Sequence, residues 1–226
     1  MPRIIKENTI RRNEILDAAQ RLINAKGYDR MTIQDIQEEL QIAKGLFYYY
    51  FASKQAMLVS LSERMMEALV QSVKPIVDDP DLLALEKLQL FFDAIVRWET
   101  GQKTFMLTLL PIWYADDNVA VREKIRTMMV KYDAPLLTTI IHQGIQEGAW
   151  KTAYPDQVTD IALLLFQGLK DTLARLLLSL HPGPGDLQPI EVIVAGYTDS
   201  LERILGLPSD SLHLMDTDTF KVWLET

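Results

Sequence analysis

Cysteine is missing from this sequence of 226 residues, and histidine occurs three times. The absence of thiols excludes disulfides, thiolate metal ligands and cysteine nucleophiles. The histidines, His142, His181 and His213, stand in separate segments and form no metal-binding motif. A glycine-rich phosphate loop, an HExxH motif and a Gly-x-Ser-x-Gly nucleophile elbow are absent too. We therefore expect that the protein is not an enzyme and uses no metal or other cofactor.

Long hydrophobic runs are also absent. The longest run without tyrosine, Ile161 to Phe166, is far too short to span a bilayer. The N-terminal stretch MPRIIKENTIRR is charged and lacks the apolar core and cleavage site of a signal peptide. Since 48% of the residues are hydrophobic and 24% are charged, the composition is typical of a globular protein. We expect a cytoplasmic protein without membrane contact.

Charge is distributed unevenly along the chain. The net charge is −8, which by itself disfavours binding to a polyanion. Residues 1–54, however, hold nine basic and seven acidic residues, a balance of +2, whereas the remainder has a balance of −10. Such an asymmetry suggests that the basic segment contacts nucleic acid, although an ordinary solvated surface explains it equally well.

Apolar residues recur every three or four positions along almost the whole chain, which predicts an all-α protein. The first helix should run from about residue 8 to Lys26, and Gly27 should end it. Thr32 should cap a short second helix, Ser53 should cap a fourth that Pro75 ends, and a third lies between them. Further helices are expected over about 82–99, 102–114, 118–148, 156–180 and 189–206, with a last short segment over 220–224. Three further features are a helix opening near Pro111, a kink or interruption at Pro135 and a turn at His181 to Gly185.

The densest aromatic cluster is KGLFYYYFASK, from Lys44 to Lys54. On a helix, Phe47 and Phe51 are i,i+4 neighbours and point to one side, whereas Lys44 and Tyr48 share another side. One side can then seal a small three-helix core, and the other presents an ammonium group and a phenol together. A short helix that follows another after a tight turn is a helix-turn-helix arrangement, whose second helix enters the major groove of DNA.

Residues 8–58 resemble the DNA-binding domain of the TetR family of transcriptional regulators. The matching residues are Thr32 at the start of the second helix, the run Lys44 to Phe51, and the pair Ser53 and Lys54. The resemblance implies an all-α fold in two parts. An N-terminal three-helix helix-turn-helix DNA-binding domain is assigned to residues 1–54, and a larger C-terminal helical bundle for effector binding and dimerisation is assigned to residues 55–226.

The resemblance also implies a function. Two heads of a homodimer would bind a near-palindromic operator in double-stranded DNA, and a small-molecule effector of unknown identity would release them. We thus predict a ligand-responsive transcriptional regulator that acts on the nucleoid. We expect this regulator to be a repressor. Two alternatives stay open: an activator with altered DNA binding, and a helical adaptor that binds only proteins.

Individual DNA contacts follow from the resemblance residue by residue. The residues that match positions at bases or at the adjacent backbone are Gln34, Ala43, Lys44, Gly45 and Tyr49, to which we add Leu46 of the same run. The residues that match phosphate contacts are Thr32, Tyr48 and Lys54. Thr32 alternatively serves only as a helix cap, and Tyr49 and Tyr50 alternatively belong to a half-buried core.

Two positions depart from the family pattern. Gln41 stands where family members often have glycine, and Ala43 stands where they often have serine or a similar cap. Loss of a side-chain cap costs about 0.5–2 kcal/mol of helix stability. Ala43 can instead contact a thymine methyl group. These departures bear on the target sequence more than on DNA binding itself.

The C-terminal part carries aromatic and methionine residues of the kind that line small-molecule pockets, and equally of the kind that fill an ordinary core. The candidate effector-pocket residues are Trp98, Phe105, Met106, Trp113, Tyr114, Met128, His142 and Phe166. The two late helices have wide apolar faces, which predicts a four-helix dimer interface, with burial inside one subunit as the alternative. The interface candidates are Leu165, Leu169, Leu173, Leu176, Ile193, Tyr197 and Leu201.

Overall fold

A computed structural model describes residues 2–115, 118–152, 154–179, 188–215 and 217–224. These residues form ten α-helices, which confirms the all-α prediction. They are α1 (Pro2–Lys26), α2 (Ile33–Leu40), α3 (Lys44–Tyr50), α4 (Lys54–Asp78), α5 (Ala84–Gly101), α6 (Lys103–Trp113), α7 (Val119–Gln146), α8 (Pro155–Ser179), α9 (Gln188–Leu205) and α10 (Thr217–Leu224). None of these described helices has the length and hydrophobicity needed to cross a membrane. The expected turn at His181 to Gly185 lies outside the described residues.

Local sequence signals set the boundaries of the first helices. Gly27 has a φ of +86°, the left-handed conformation that ends α1. Thr32 and Asp35 form a capping box at the start of α2, since each side chain accepts a hydrogen bond from the backbone of the other. The Ser53 hydroxyl accepts a hydrogen bond from the backbone N–H of Ala56 and so caps α4. These predicted caps are confirmed.

Three prolines lie inside helices, although the sequence predicted that Pro75 would end a helix and that Pro111 would open one. α4 continues past Pro75 to Asp78, Pro111 lies inside α6 instead of opening it, and Pro135 lies within a continuous α7. A proline removes one backbone hydrogen bond and crowds the preceding turn. Around Pro75 this cost is offset because Val73 and Val77 on the same helix are buried. The first helix is also longer than expected, beginning at Pro2.

Two compact units make up the chain. The first comprises residues 1–66 and 102–128, and the second comprises residues 67–101 and 129–226. The whole of the predicted DNA-binding segment, residues 1–54, lies in the first unit. The boundary after residue 54 stays a prediction.

The core of the first unit joins α1 to the three helices that follow it. Its fully buried side chains include Ile15, Leu16, Ile23, Met31, Ile36, Phe47, Met57 and Leu61. Polar contacts fasten α1 to α2 at the surface: Arg21 donates two hydrogen bonds to Glu39, and Lys26 forms a salt bridge of 2.6 Å with Asp35. Polar contacts with α1 therefore hold α2 near both of its ends.

In the second unit, α8 and α9 pack closely against each other. A Cβ atom added at Gly168 would lie 3.1 Å from the Tyr197 hydroxyl oxygen, so the missing side chain lets the tyrosine approach the backbone of α8. That hydroxyl is 3.3 Å from Thr172 Oγ1, in hydrogen-bonding range. Glycine and threonine thus fix the register of the helix pair.

The segment after α9 folds back onto the second unit. The Glu202 carboxylate is buried and accepts hydrogen bonds from the backbone N–H groups of Asp210, Ser211 and Leu212. The Gln89 side chain pairs with the backbone N–H and C=O of His213. Phe220 of α10 is 1% exposed, as expected for a terminal helix that packs on the body.

A group of charged side chains lies among three helices of the second unit. Lys170 of α8 donates a 2.5 Å hydrogen bond to Glu99 of α5, and its ammonium lies over the Phe166 ring. Burial lowers the pKa of Lys170, but its carboxylate neighbours outweigh burial and raise it above the ordinary value. Burial raises the pKa of Asp133 on α7 to about 6, against the pull of Lys170. The charged form of Asp133 is thus the unfavourable one in the fold.

Asp133→Asn should stabilise the protein at alkaline pH. The carboxyl has a folded pKa of about 6 and an unfolded pKa of about 3.9, so its protonated form favours folding below pH 4 and this contribution is lost as the pH rises through 6. The amide carries no charge, so the variant should gain on the order of 1–2 kcal/mol at pH 8, and the gain should shrink between pH 6 and 4. Urea unfolding at pH 8, 6 and 4.5 measures this. Asp160→Asn, at an exposed carboxyl on α8, is the control; an equal gain at all three pH values would contradict the assignment.

Candidate nucleic-acid interface

The two sides of α3 differ sharply in exposure. Phe47 is fully buried and Phe51, just after the helix, is 2% exposed, whereas Tyr48 is 45% and Tyr49 69% exposed. The Phe47 ring packs at 5.7 Å from that of Phe51 and edge-on at 5.5 Å from that of Tyr48. The phenylalanines therefore anchor the helix and leave two phenols at the surface.

The beginning of α3 is open to solvent. Ala43, Lys44 and Gly45 are exposed, and Leu46 is half-buried. Ala43 caps the helix without a side-chain hydrogen bond, as its identity predicts. A Cβ atom built on Gly45 would meet nothing within 4 Å. The fold itself does not require glycine at this position, so the exposed backbone there is accessible to a bulky partner.

Tyr50 takes a different role from its neighbours. It is half-buried, and its hydroxyl donates a 3.2 Å hydrogen bond to Asn8 Oδ1 on α1. Its ring packs edge-on against Tyr49 at 4.9 Å. The sequence did not decide whether Tyr49 and Tyr50 belong to a half-buried core or to the surface. In the structure Tyr50 packs between helices and Tyr49 lies at the surface.

Thr32 is fully engaged as a cap. Its hydroxyl donates to Asp35 Oδ2 at 2.7 Å and accepts from the Asp35 N–H at 3.1 Å. Hydrogen bonds from Lys26 and then Thr32 lower the pKa of Asp35 to about 2, so this carboxylate stays ionised at neutral pH. The structure establishes the cap, and the phosphate contact of Thr32 stays a prediction.

Lys54 is half-buried at the start of α4. Its ammonium donates to the Asp29 carbonyl at 3.3 Å and lies 4.2 Å from the centre of the Tyr28 ring. Burial lowers the pKa of Lys54, and the charges of Asp29 and Asp35 oppose that shift. Its ammonium is thus held in the loop between α1 and α2 rather than extended into solvent.

A polar groove runs between α2 and α3. It measures about 500 Å³ and is lined by Ile33, Gln34, Gln37, Glu38, Gln41, Ile42, Lys44 and Tyr48. The structure therefore brings Gln34, Lys44 and Tyr48, which were predicted separately, to one concave surface. Gln37 and Glu38 were missed by the sequence reasoning, although their spacing of three and four residues from Gln34 places them on the same side of a helix.

The turn into the groove contains a strained residue. Gln41 has φ 53° and ψ 45°, the left-handed region that disfavours side chains other than glycine and asparagine. Its N–H donates to the carbonyls of Gln37 and Glu38, and the N–H of Ile42 donates to Gln37, which together close the end of α2. The presence of glutamine at position 41, where family members often have glycine, thus costs free energy through backbone strain.

The candidate effector residues divide between the two units. Phe105, Met106, Trp113, Tyr114 and Met128 belong to the first unit, and Trp98, His142 and Phe166 belong to the second. Phe105 and Phe166 are buried, His142 is exposed, and the others are half-buried. The effector assignment of all eight residues stays a prediction.

One of these residues lines a small apolar cavity. Trp113, Leu58, Leu109, Ile112 and Ile125 border a space of about 20 Å³. That volume holds about one water molecule, whereas drug-sized ligands occupy roughly 300–1,000 Å³. This cavity therefore does not accommodate such an effector in the conformation described.

The candidate dimer residues differ in their exposure within a single chain, and their place in an interface stays a prediction. Leu169, Leu173 and Leu201 are 1–4% exposed within a single chain, because α8 and α9 bury them against the second unit's own core. The other four, Leu165, Leu176, Ile193 and Tyr197, are half-buried. The more exposed apolar residues on these helices are Ile161, Leu164, Leu178 and Val192.

Sequence comparison finds regulators among known proteins. Residues 15–61 match the family model "Bacterial regulatory proteins, tetR family". The HTH-type transcriptional repressor DhaR of Mycobacterium sp. (strain GP1) is 23% identical over 198 residues, which cover 85% of this chain and 95% of DhaR. The fatty acid metabolism regulator protein of Bacillus subtilis (strain 168) is 26% identical over 138 residues, which cover 61% of this chain and 70% of that protein.

Solved structures share the fold. A TetR transcription regulator from Haloarcula marismortui ATCC 43049 superposes with a TM-score of 0.62 at 20% identity, covering 88% of this chain and 97% of that one. The transcriptional regulator FadR from Bacillus subtilis, solved in complex with stearoyl-CoA, superposes with a TM-score of 0.60 at 22% identity, covering 88% and 98%. At these identities the structures establish the likeness of fold.

Gln41→Gly should stabilise the protein. Glycine adopts the left-handed conformation without the clash that a Cβ atom causes, so the free energy of unfolding should rise by about 1 kcal/mol. Chemical denaturation monitored by circular dichroism measures the change. The same exchange at Gln34, inside α2, should instead cost about 0.5–1 kcal/mol because glycine weakens a regular helix. Destabilisation by Gln41→Gly would show that the side chain itself supports the fold.

Proposed function

Because this chain is a transcriptional regulator of the TetR family, we propose that it binds a near-palindromic DNA operator as a homodimer and represses transcription. A small-molecule effector then releases it from the operator. Its place of action is the nucleoid in the cytoplasm. The observation that carries the proposal is the two-sided α3, with Phe47 buried in the head and Tyr48 and Tyr49 exposed beside Lys44.

The chemistry of the exposed side suits the major groove of DNA. The Lys44 ammonium can donate to a guanine edge or a phosphate, and the phenol of Tyr48 can donate to a phosphate oxygen. Gly45 leaves room for the DNA backbone, because no side chain stands between it and solvent. The groove between α2 and α3 leaves one side of α3 uncovered, and a strand of DNA can lie along that side.

An exposed apolar surface on the second unit supports dimerisation. Leu164 of α8 is 57% exposed, Ile161 one turn earlier is 47% exposed, and Val192 of α9 is 67% exposed. Large apolar side chains exposed on helices favour burial against another surface. A second copy of the chain, related by a two-fold axis, buries the same residues from both sides. We therefore assign the interface to these exposed residues rather than to buried Leu169, Leu173 and Leu201.

The effector is proposed to bind in the helical part of the chain, outside residues 1–54. The FadR structure holds stearoyl-CoA, which makes long-chain acyl thioesters the first class to test. The charged centre of Glu99, Asp133 and Lys170 supplies polar groups next to the apolar Phe166, a combination typical of ligand sites.

DNA binding is tested by fluorescence anisotropy with an operator taken from upstream of the gene or selected from a random pool. We expect tight binding that weakens steeply with salt. Lys44→Ala should weaken it at least about tenfold and reduce the salt slope by about one. Tyr48→Phe removes only an uncharged hydroxyl, so it should weaken binding less and leave the salt slope unchanged. Lys131→Ala, at an exposed lysine on α7, is the control.

Absence of specific binding with both DNA sources would contradict the proposed function and favour the protein-binding adaptor. If the complex forms, acyl thioesters and then other small molecules are added to the same assay. Release of the DNA by a compound identifies the effector. Reporter expression from the operator then separates a repressor from an activator.

Leu164→Glu should convert the dimer to monomers, because two carboxylates would face each other across the two-fold axis in an apolar interface. Sedimentation velocity at micromolar concentration measures the change, and circular dichroism checks the fold. Leu83→Glu is the matched control, since Leu83 is 60% exposed but lies outside α8 and α9. A dimer that survives Leu164→Glu would place the interface elsewhere.

A further inference from the structure

The groove between α2 and α3 contains two glutamines that the assigned DNA contacts do not include. Gln37 and Gln41 line it together with Gln34, Lys44 and Tyr48. Gln34 and Gln37 lie three residues apart on α2 and therefore on one side of it, and Gln41 is the residue at which the helix ends. The three glutamines thus form a row that borders the groove and leads to the turn. Gln37 and Gln41 thus extend the proposed DNA-binding surface from α3 toward the turn between α2 and α3.

The amide group is suited to reading a base. A glutamine side chain offers one acceptor and two donors, and it pairs in a bidentate manner with N6 and N7 of adenine in the major groove. The amide of Gln34 is already oriented, because its Nε2 donates a 2.7 Å hydrogen bond to Glu38 Oε1. The row therefore begins with a positioned amide and continues toward the turn.

The backbone at Gln41 supports a functional role for its side chain. The turn requires a left-handed residue, which glycine supplies with the least strain, yet this chain places a long amide there. The side chain is exposed and borders the groove, so core packing does not explain the strain. Backbone strain at an exposed position is characteristic of binding surfaces.

We propose that Gln37 and Gln41 are specificity-determining residues that read an adenine in each operator half-site, next to the bases contacted from α3. The inference rests on the proposed function, since it requires that the head binds DNA. Because amides carry no charge, these residues contribute to discrimination between bases rather than to the salt-dependent part of affinity. Their loss should thus change sequence preference while the salt slope stays constant.

The experiment uses the full-length protein and the half-site preferred in selection from a random DNA pool. Affinities for this DNA, and for versions with each A·T pair replaced, are measured by anisotropy for the intact protein, Gln37→Ala, Gln41→Gly and the double variant. Gln71→Ala, at an exposed glutamine of α4 outside the groove, is the control. Gln41→Gly is informative because it removes the amide and should relieve backbone strain, and chemical denaturation of the same variant checks that weakened discrimination does not come from unfolding.

We expect the intact protein to discriminate at one A·T pair by about tenfold, and Gln37→Ala or Gln41→Gly to abolish most of that preference. Replacing the adenine with 7-deazaadenine removes the N7 acceptor. It should weaken binding of the intact protein by several-fold and leave the affinity of the double variant unchanged.

Two results overturn the inference, and they are distinguishable. If the intact protein binds its half-site specifically but both variants keep the same base preferences within about twofold, the glutamines are not readers and the proposed function stands. If the intact protein shows no sequence-specific binding in the selection, the proposed function fails and the inference fails with it.

Discussion

Burial of two phenylalanines four residues apart is the interaction on which the DNA-facing surface depends. Phe47 and Phe51 lie in the core of the first unit, and their positions set the rotation of α3 about its axis. A helix advances 100° per residue, so the residues between them necessarily point elsewhere. Tyr48 and Tyr49 are exposed for that reason, and Lys44 shares the side of Tyr48. The core thus orients the interface.

The position of α2 depends on a second set of contacts, which are polar. The capping box of Thr32 and Asp35 fixes where the helix begins, and the salt bridge from Lys26 ties that end to α1. Arg21 and Glu39 hold the opposite end. Polar contacts thus tie both ends of α2 to α1 and position the helix that forms one side of the groove. The strained turn at Gln41 then completes the concave surface.

The second unit contains a group of charged side chains among its helices. Its charged centre of Glu99, Asp133 and Lys170 joins α5, α7 and α8, and partial burial makes the ionised Asp133 unfavourable. A centre of this kind contributes little to stability compared with an apolar core of the same volume. This centre and the buried Glu202 place charged groups inside the helical bundle of the second unit, and the proposed effector site rests on the centre. The proposed dimer interface rests on the exposed apolar side chains of α8 and α9.

The sequence by itself determined the helices and the recognition motif, since both depend on local periodicity, caps and the spacing of aromatic residues. It placed most helix ends within a few residues and oriented Phe47 and Phe51 correctly. It misjudged Pro75 and Pro111, because packing around a proline is not local information. Only the tertiary structure decided that Tyr50 binds Asn8, that Leu169 and Leu201 are buried within one chain, and that Gln37 borders the groove. Each of these depends on which side of a helix meets a distant segment, and aromatic, leucine and glutamine residues look the same in sequence whether they fill a core or face a ligand.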